Sequence, residues 1–433
     1  MPWRALASLH SGKPGVIERC LWDDPARLPP PATPPPHRTE VAIVGGGYTG
    51  LSAARTLARH GVAVAVLERH RVGWGASGRN GGFVLPGFQP EAAWLTRRYG
   101  VERARALFAA SLEAIEFLER LIAEEAIACG YVRRGALTLA ARPGHLRDLE
   151  RTRRLLRDRF GHETTLLGRG ELRDEIASPR YHGGLLDMAA GCLHPVRYCE
   201  GLAAAAVRAG AVIVEGVEVL GVKCSPGKAT LATSCGPLEA AEVLVATNGY
   251  TGAAFPGLRR RVVPIGSYIV ATARLEASVA RGLLPGARVL SDTWHLLHYF
   301  RLSDDGRLMF GGRASFTPTT VERSADILAA AMREVFPSLG AVPIEFGWAG
   351  NVAFTRDRMP HAGRLDGVHY ALGYAGHGVA LSTWLGAQMG HALAGRGPTP
   401  RFTGDLPAIP LYGGTPWFLP AVGAYYRMKD WIG

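Results

Sequence analysis

Residues Glu40 to Glu68 constrain this chain most, because they read as one nucleotide-binding βαβ unit. Glu40-Val41-Ala42-Ile43-Val44 is a short β-branched run suited to a buried parallel strand. Gly45-Gly46-Gly47-Tyr48-Thr49-Gly50 follows at once and fits G-x-G-x-x-G, with Gly45, Gly47 and Gly50 in the three places. The first glycine permits a tight turn, the second lets backbone approach a pyrophosphate, and the third lets helix and strand pack closely. Leu51 to His60 then predicts a helix with Leu51, Ala54, Leu57 and Ala58 on one face. Its free N–H groups and positive dipole end point at the phosphates, with Tyr48 and Thr49 in the turn. Gly61 ends the helix, and Val62 to Leu67 is a second apolar strand closing on Glu68. An acid about 20 residues past the glycines accepts hydrogen bonds from a ribose. The neighbouring Arg69 belongs to the same edge. Strand, glycines, helix, strand and acid in register predict a dinucleotide site.

A second glycine-rich run, Val72 to Phe83, begins immediately after this acid. It predicts backbone pressed against another part of the ligand, which favours FAD over NAD, since the longer cofactor carries a flavin needing its own wall. Glu242 to Ala246 is a further apolar strand ending in Thr247-Asn248-Gly249, at the edge where open α/β sheets bind ligands. Val368 to Leu372 ends in Gly373-Tyr374-Ala375-Gly376-His377-Gly378 before a helix from Val379 to Leu393. Such a turn can aim helix N–H groups at an anion, here the flavin N1–C2=O edge; a structural glycine turn is the alternative reading.

The rest of the chain sets bounds. Its 433 residues suggest two or three domains with a large core. With 47% hydrophobic and 20% charged residues it has a soluble globular composition. It shows no apolar run of membrane-spanning length and no secretory signal pattern. The net charge of +12 is carried almost wholly by arginine, the only lysines being Lys13, Lys223, Lys228 and Lys429. The arginines are scattered rather than striped with aromatics, which argues against nucleic acid and leaves an anionic substrate open. Six cysteines without C-x-x-C or zinc spacing suggest reduced thiols in a cytoplasmic protein and no metal site.

Met1 to Arg38 ends in a proline-rich stiff leader, with Trp3 and Trp22 as candidate anchors. Glu91 to Ala128 predicts one or two helices, and Leu146 to Arg159 a basic solvated one. Gly135 to Ala140, the pieces of Gly183 to Leu193, Ala211 to Val214 and Val217 to Val222 read as strands. Pro195 opens a helix through Arg208. From Arg261 to Phe316 the chain turns β-rich. Trp294 to Leu302 and Arg307 to Gly311 form a hairpin about Ser303-Asp304-Asp305-Gly306. A helix from Val321 to Phe336 and a strand from Ile344 to Trp348 follow.

With these pieces in place the chain resembles the FAD-dependent D-amino-acid oxidase/sarcosine oxidase superfamily, and within it the gamma-glutamylputrescine oxidases. The shared stretches are Gly73-Trp74-Gly75-Ala76-Ser77-Gly78-Arg79-Asn80-Gly81-Gly82, His194-Pro195, Tyr299-Phe300-Arg301-Leu302-Ser303, Phe310-Gly311-Gly312 and Gly373 to Val379. The resemblance implies an α/β Rossmann-like FAD-binding domain with an inserted α+β substrate domain on an antiparallel sheet. In this division 1–38 is the leader, 39–96, 171–261 and 341–433 form the FAD domain, and 97–170 and 262–340 the substrate domain. It implies FAD with Glu68 on the ribose, Val217 near adenine, Ser77 to Gly82 beside the flavin and Gly376 to Gly378 at its pyrimidine end.

Departures from the superfamily sort the substrates. Where glycine and D-amino-acid oxidases read Trp-Ala-Gly-x-Arg-Pro, with the arginine gripping the substrate carboxylate, this chain reads Trp348-Ala349-Gly350-Asn351-Val352-Ala353. Ala380 replaces a lysine of sarcosine oxidases, Met309 stands near the place of their oxygen-activating lysine, and Gly350 near that of their flavin-linking cysteine, so noncovalent FAD is expected. A carboxylate left unpaired in a dry pocket costs several kcal/mol. The expectation is therefore an amine oxidase or dehydrogenase that passes hydride to flavin N5, with oxygen or another acceptor downstream and no membrane attachment. An N-alkyl or D-amino acid substrate, and a non-catalytic flavin protein, are the alternatives. His298 and Trp294 are expected to line the pocket, with Met309 close by and His377 near the flavin; Arg301, on the opposite strand face from His298, is expected to be structural.

Overall fold

The computed structural model describes residues 17–23, 34–312, 320–400, 402 and 404–432. Trp3 and most of the proline run lie outside these residues.

Two sheets carry the fold. The first, of eight strands, has the parallel run Gly236–Val245, Arg38–Val44, Val64–Leu67 and Val212–Val214 at its heart. Val368–Leu372 joins parallel to Gly236–Val245. The last four residues of Arg38–Val44 are all buried, as expected where both faces are covered. On one face Ile43, Leu51, Leu57 and Leu385 share a core; on the other Val44, Val245 and Tyr370 share a second. The helix Tyr48–Arg59 packs on the long C-terminal helix Gly378–Leu393. Close approach is possible because Gly386 and Gly390 face the Thr49 and Ala53 carbonyls. The Ser52 hydroxyl donates to the Thr383 carbonyl at 2.7 Å across that seam. A hairpin not expected from the sequence, Val219–Ser225 with Lys228–Thr233, extends the sheet edge.

The second sheet has nine strands. Its central order is Ile344–Phe354, Val263–Thr272, Leu308–Gly312, His298–Leu302, Val289–Asp292, Ala136–Leu139 and Gly183–Asp187. The expected hairpin is present, with Phe300 opposite Phe310 and their rings stacked 5.5 Å apart. Gly306, at a φ of 80°, makes its turn. One face is apolar: Leu137, Leu186, Leu290, Phe300 and Phe310 pack with Leu328 and Met332 of the helix Val321–Val335. The division by sequence put 344–354 and 183–187 on the FAD side. Instead Ile344–Phe354 pairs along its length with Val263–Thr272, and Gly183–Asp187 pairs with Ala136–Leu139.

The C-terminal helix Leu419–Ile432 packs through Leu419, Val422 and Tyr426 against Val263 and Ile265. Among the described residues no helix is long and apolar enough to cross a membrane. None of the six cysteines forms a disulfide.

Candidate active site

One cavity of about 720 Å³ runs from the glycine turn of the first sheet to the face of the second that the helix Val321–Val335 leaves uncovered. At its nucleotide end Glu68 is fixed by two amides: Oε2 accepts from Gly46 at 2.8 Å and Oε1 from His70 at 2.9 Å. Burial raises the Glu68 pKa, and these two hydrogen bonds oppose it. Val217, whose amide donates to the Glu68 carbonyl at 2.9 Å, and Arg69 line the same end. Gly45, Gly47, Tyr48 and Thr49 form the floor, with the Tyr48 amide donating to Ser77 Oγ at 3.1 Å.

The second glycine run is a knotted turn. Asn80 Nδ2 donates to the carbonyls of Ala76 (3.0 Å) and Ser77 (2.8 Å), while its Oδ1 accepts the Gly82 amide at 2.7 Å. Arg79 is spent on structure: it donates to the Trp74 carbonyl at 2.7 Å and the Ala349 carbonyl at 3.2 Å, and its guanidinium lies over the Trp74 ring. Trp22 braces the turn from behind, donating to the Asn80 carbonyl at 2.9 Å beneath the Arg301 guanidinium. Arg301 itself is buried and donates to the Leu193 carbonyl at 3.1 Å. Ser77, Arg79, Asn80 and Gly81 line the cavity. Gly50, Gly78 and Gly82 stand behind it, where a Cβ would strike the carbonyl oxygens of Gly45, Gly73 and Leu193.

The third wall is the turn before the helix Gly378–Leu393. Asn248 Oδ1 accepts the Gly373 amide at 2.9 Å and so ties two strand ends together; Thr247 lies beside it in the lining. Gly376, at a φ of 100°, has nothing within 4 Å of where a Cβ would stand. His377 Nδ1 is buried without a hydrogen-bond partner in the described structure, and burial lowers its pKa to about 4. A neutral imidazole and the helix N-terminus thus face the cavity. The glycine cradle, the fixed Glu68 and this orphaned nitrogen fit a dinucleotide, and Gly81 and Gly376 line the cavity beyond them.

The substrate end is lined by Ser267, Tyr299, Ser291, Thr138, Asp187 and Val352, among others. Tyr299 contacts Phe83 edge to face at 5.7 Å, and its hydroxyl lies 3.0 Å from Ser267 Oγ. The structure brings His377 to the cavity but not His298, Trp294 or Met309. His298 points to the other side of its strand: Nδ1 lies 2.9 Å from Asp292 Oδ2, whose side chain is fully buried, and its ring lies 5.2 Å from Phe310. Alternation along the strand turns Tyr299 to the cavity instead. Trp294 lies under the Arg142 guanidinium, and Met309 is buried with Trp22 and Trp348. Tyr299 was legible only as part of a shared motif.

The loop at the cavity rim is held by the last helix. Asp430 accepts the His295 amide at 2.9 Å and the Leu296 amide at 3.0 Å, and His295 and Leu297 line the cavity. Hydrogen bonds to a charged group contribute about 1.5–3 kcal/mol. Asp430→Asn is expected to lower Tm and to speed amide exchange across 293–297 with flavin content unchanged. Wild-type exchange in this loop would show that the helix does not hold it.

A glycine-walled cleft continuous with a cavity over a separate, mostly antiparallel sheet defines a flavin-dependent oxidoreductase. The chain belongs to the family described as FAD dependent oxidoreductase, which matches residues 40–392, and FAD is its cofactor. It is 36% identical over 405 residues to gamma-glutamylputrescine oxidoreductase of Escherichia coli (strain K12), covering 91% of this chain and 93% of that protein. It is 35% identical over 391 residues to the probable oxidoreductase OrdL of Haemophilus influenzae, covering 89% of each. The crystal structure of glycine oxidase from Geobacillus kaustophilus superposes with a TM-score of 0.69 at 23% identity, over 84% of this chain and 97% of that one, and shares the fold.

Proposed function

We propose that the protein oxidises the C–N bond of an amine such as gamma-glutamylputrescine, giving an imine that water converts to an aldehyde. The observation that carries this reading is the charge of the lining. Among the described lining residues the only arginines or lysines are Arg69, at the nucleotide end, and Arg79, committed to two carbonyls. At the substrate end Val352 stands where an amino-acid oxidase would need a carboxylate clamp, so an α-carboxylate would be buried unpaired. The similarity to gamma-glutamylputrescine oxidoreductase supports the same class.

FAD, when bound, would supply the electron sink for the hydride lost from the carbon beside the amine nitrogen. The protein's part is orientation. Glu68 would hold the ribose, and Ser77 to Gly81 and Gly376 to Gly378 would hold the ring system, toward which His377, neutral at pH 7, would offer Nδ1. The paired hydroxyls of Tyr299 and Ser267 present a donor and an acceptor to a neutral amine. No cysteine is among the described lining residues, which supports noncovalent FAD. Oxygen or another acceptor takes the electrons, and six cysteines without a disulfide support a cytoplasmic setting.

The test is anaerobic bleaching of the flavin by gamma-glutamylated polyamines, diamines, N-methyl amino acids and D-amino acids. Amines are expected to bleach it and D-amino acids to leave it yellow; readmitted air then separates oxidase from dehydrogenase. Bleaching by sarcosine or D-amino acids would reveal a clamp absent from the described lining. Failure of every donor would point to a non-catalytic flavin protein.

A further inference from the structure

The cavity does not end at Tyr299. Pairing in the second sheet sets Tyr299 opposite Ser291, Ser291 beside Thr138, and Ala136, two residues from Thr138, opposite Asp187. All five residues line the cavity. Their alternating neighbours Phe300, Leu290, Leu137 and Leu186 lie in the core on the other face. A polar row therefore crosses three strand spacings, about 14 Å at roughly 4.8 Å each. It starts at Tyr299, whose ring a Cβ on Gly81 would meet at 3.4 Å. It ends on a carboxylate. Asp187 is held in place: Oδ2 lies 2.8 Å from His162 Nε2 and Oδ1 accepts the Ala189 amide at 2.9 Å. His162 does not line the cavity, and no arginine or lysine among the described residues pairs with Asp187. Each carboxylate oxygen keeps lone pairs for a further donor.

We propose that this end of the cavity is a subsite for a second ammonium group, with Asp187 as its anion. The substrate is then a long linear amine that carries a second ammonium at its far end. The serine and threonine hydroxyls between suit an amide or a secondary amine on the way. The α-ammonium of a γ-glutamyl group and the terminal ammonium of a polyamine share this chemistry. The inference rests on the amine reading above and adds what recognises the far end.

Calorimetric binding to the holoenzyme under anaerobic conditions reads the subsite whether or not the flavin is reduced. The probes are gamma-glutamylputrescine, spermidine and N-acetylputrescine, the last lacking the distal ammonium. The first or second is expected to bind at least tenfold more tightly than N-acetylputrescine, as a charge-assisted hydrogen bond of about 1.5–3 kcal/mol implies. Whichever binds tighter identifies the natural source of the ammonium. Asp187→Asn is expected to remove that preference while N-acetylputrescine binds within about twofold of wild type and flavin content stays the same. Asp187→Lys should weaken the ammonium-ended probes further. Equal binding of all three probes to wild type, or equal loss of all three in Asp187→Asn at full flavin content, overturns the subsite. Tight, Asp187-dependent binding without flavin reduction would leave the subsite standing and overturn the amine-oxidation reading instead.

Discussion

Gly50→Ala is expected to yield protein that has lost most of its flavin. Gly50 is the third glycine of the nucleotide turn, buried inside the helix Tyr48–Arg59. A Cβ there would strike the Gly45 carbonyl oxygen and stand 3.1 Å from Ile43 Cγ2. The first obstacle is backbone, so it cannot swing aside as a side chain would. Either the helix lifts from the strand or the turn opens, and both displace the amides that face the pyrophosphate. Overpacking of this kind costs about 1–3 kcal/mol, which corresponds to roughly 5- to 150-fold in affinity if it falls on the bound state. The measurement is flavin absorbance per protein after gel filtration, with circular dichroism to follow folding. Gly170→Ala serves as the control, because a Cβ there meets nothing within 4 Å. Full flavin content in Gly50→Ala would mean that the helix and strand are not pressed together as described.

The nucleotide half of the cavity was legible in the sequence because its pattern is local. Gly45 to Gly50 and Glu68 fall within one strand–turn–helix–strand unit, and the turn from Ser77 to Gly82 is marked by its glycines, although its contacts reach Tyr48, Leu193 and Ala349. The substrate half was not readable in the same way. Whether His298 or Tyr299 faces the cavity depends on which side of the sheet the helix Val321–Val335 covers, and that is set by Phe300, Phe310 and Leu328 meeting across distant segments. Once Phe300 is buried there, alternation sends His298 to Asp292 and Tyr299 to the cavity. The same non-local logic hid Asp187, which reaches the cavity only because Gly183–Asp187 pairs with Ala136–Leu139. The strand Ile344–Phe354 shows the converse. Its apolar start was visible, but its polar continuation through Asn351 is held by pairing, with Gly266 opposite Asn351 and Ile265 opposite Val352.

That strand offers the sharpest test of substrate class. Val352 lines the cavity with a half-buried side chain, at the position where the resemblance to amino-acid oxidases implies an arginine. Val352→Arg is expected to slow flavin reduction by amines about a hundredfold. The amine arrives protonated and must lose that proton before it reacts; a guanidinium roughly 5 Å away, at an effective dielectric near 20, repels the arriving cation by about 3 kcal/mol, and about 1.4 kcal/mol is a tenfold change in rate. The same charge should admit small carboxylates, because an arginine can bind a carboxylate through two parallel hydrogen bonds. D-Alanine and glycine, expected to leave the wild-type flavin yellow, are then expected to compete with the amine or to bleach the flavin slowly. Stopped-flow reduction under anaerobic conditions measures both effects, and unchanged flavin content shows that the fold tolerates the longer side chain. If amine reduction stays at the wild-type rate, position 352 lies too far from the reacting nitrogen for its charge to matter. The absence of a clamp there would then no longer explain why an α-amino acid is refused.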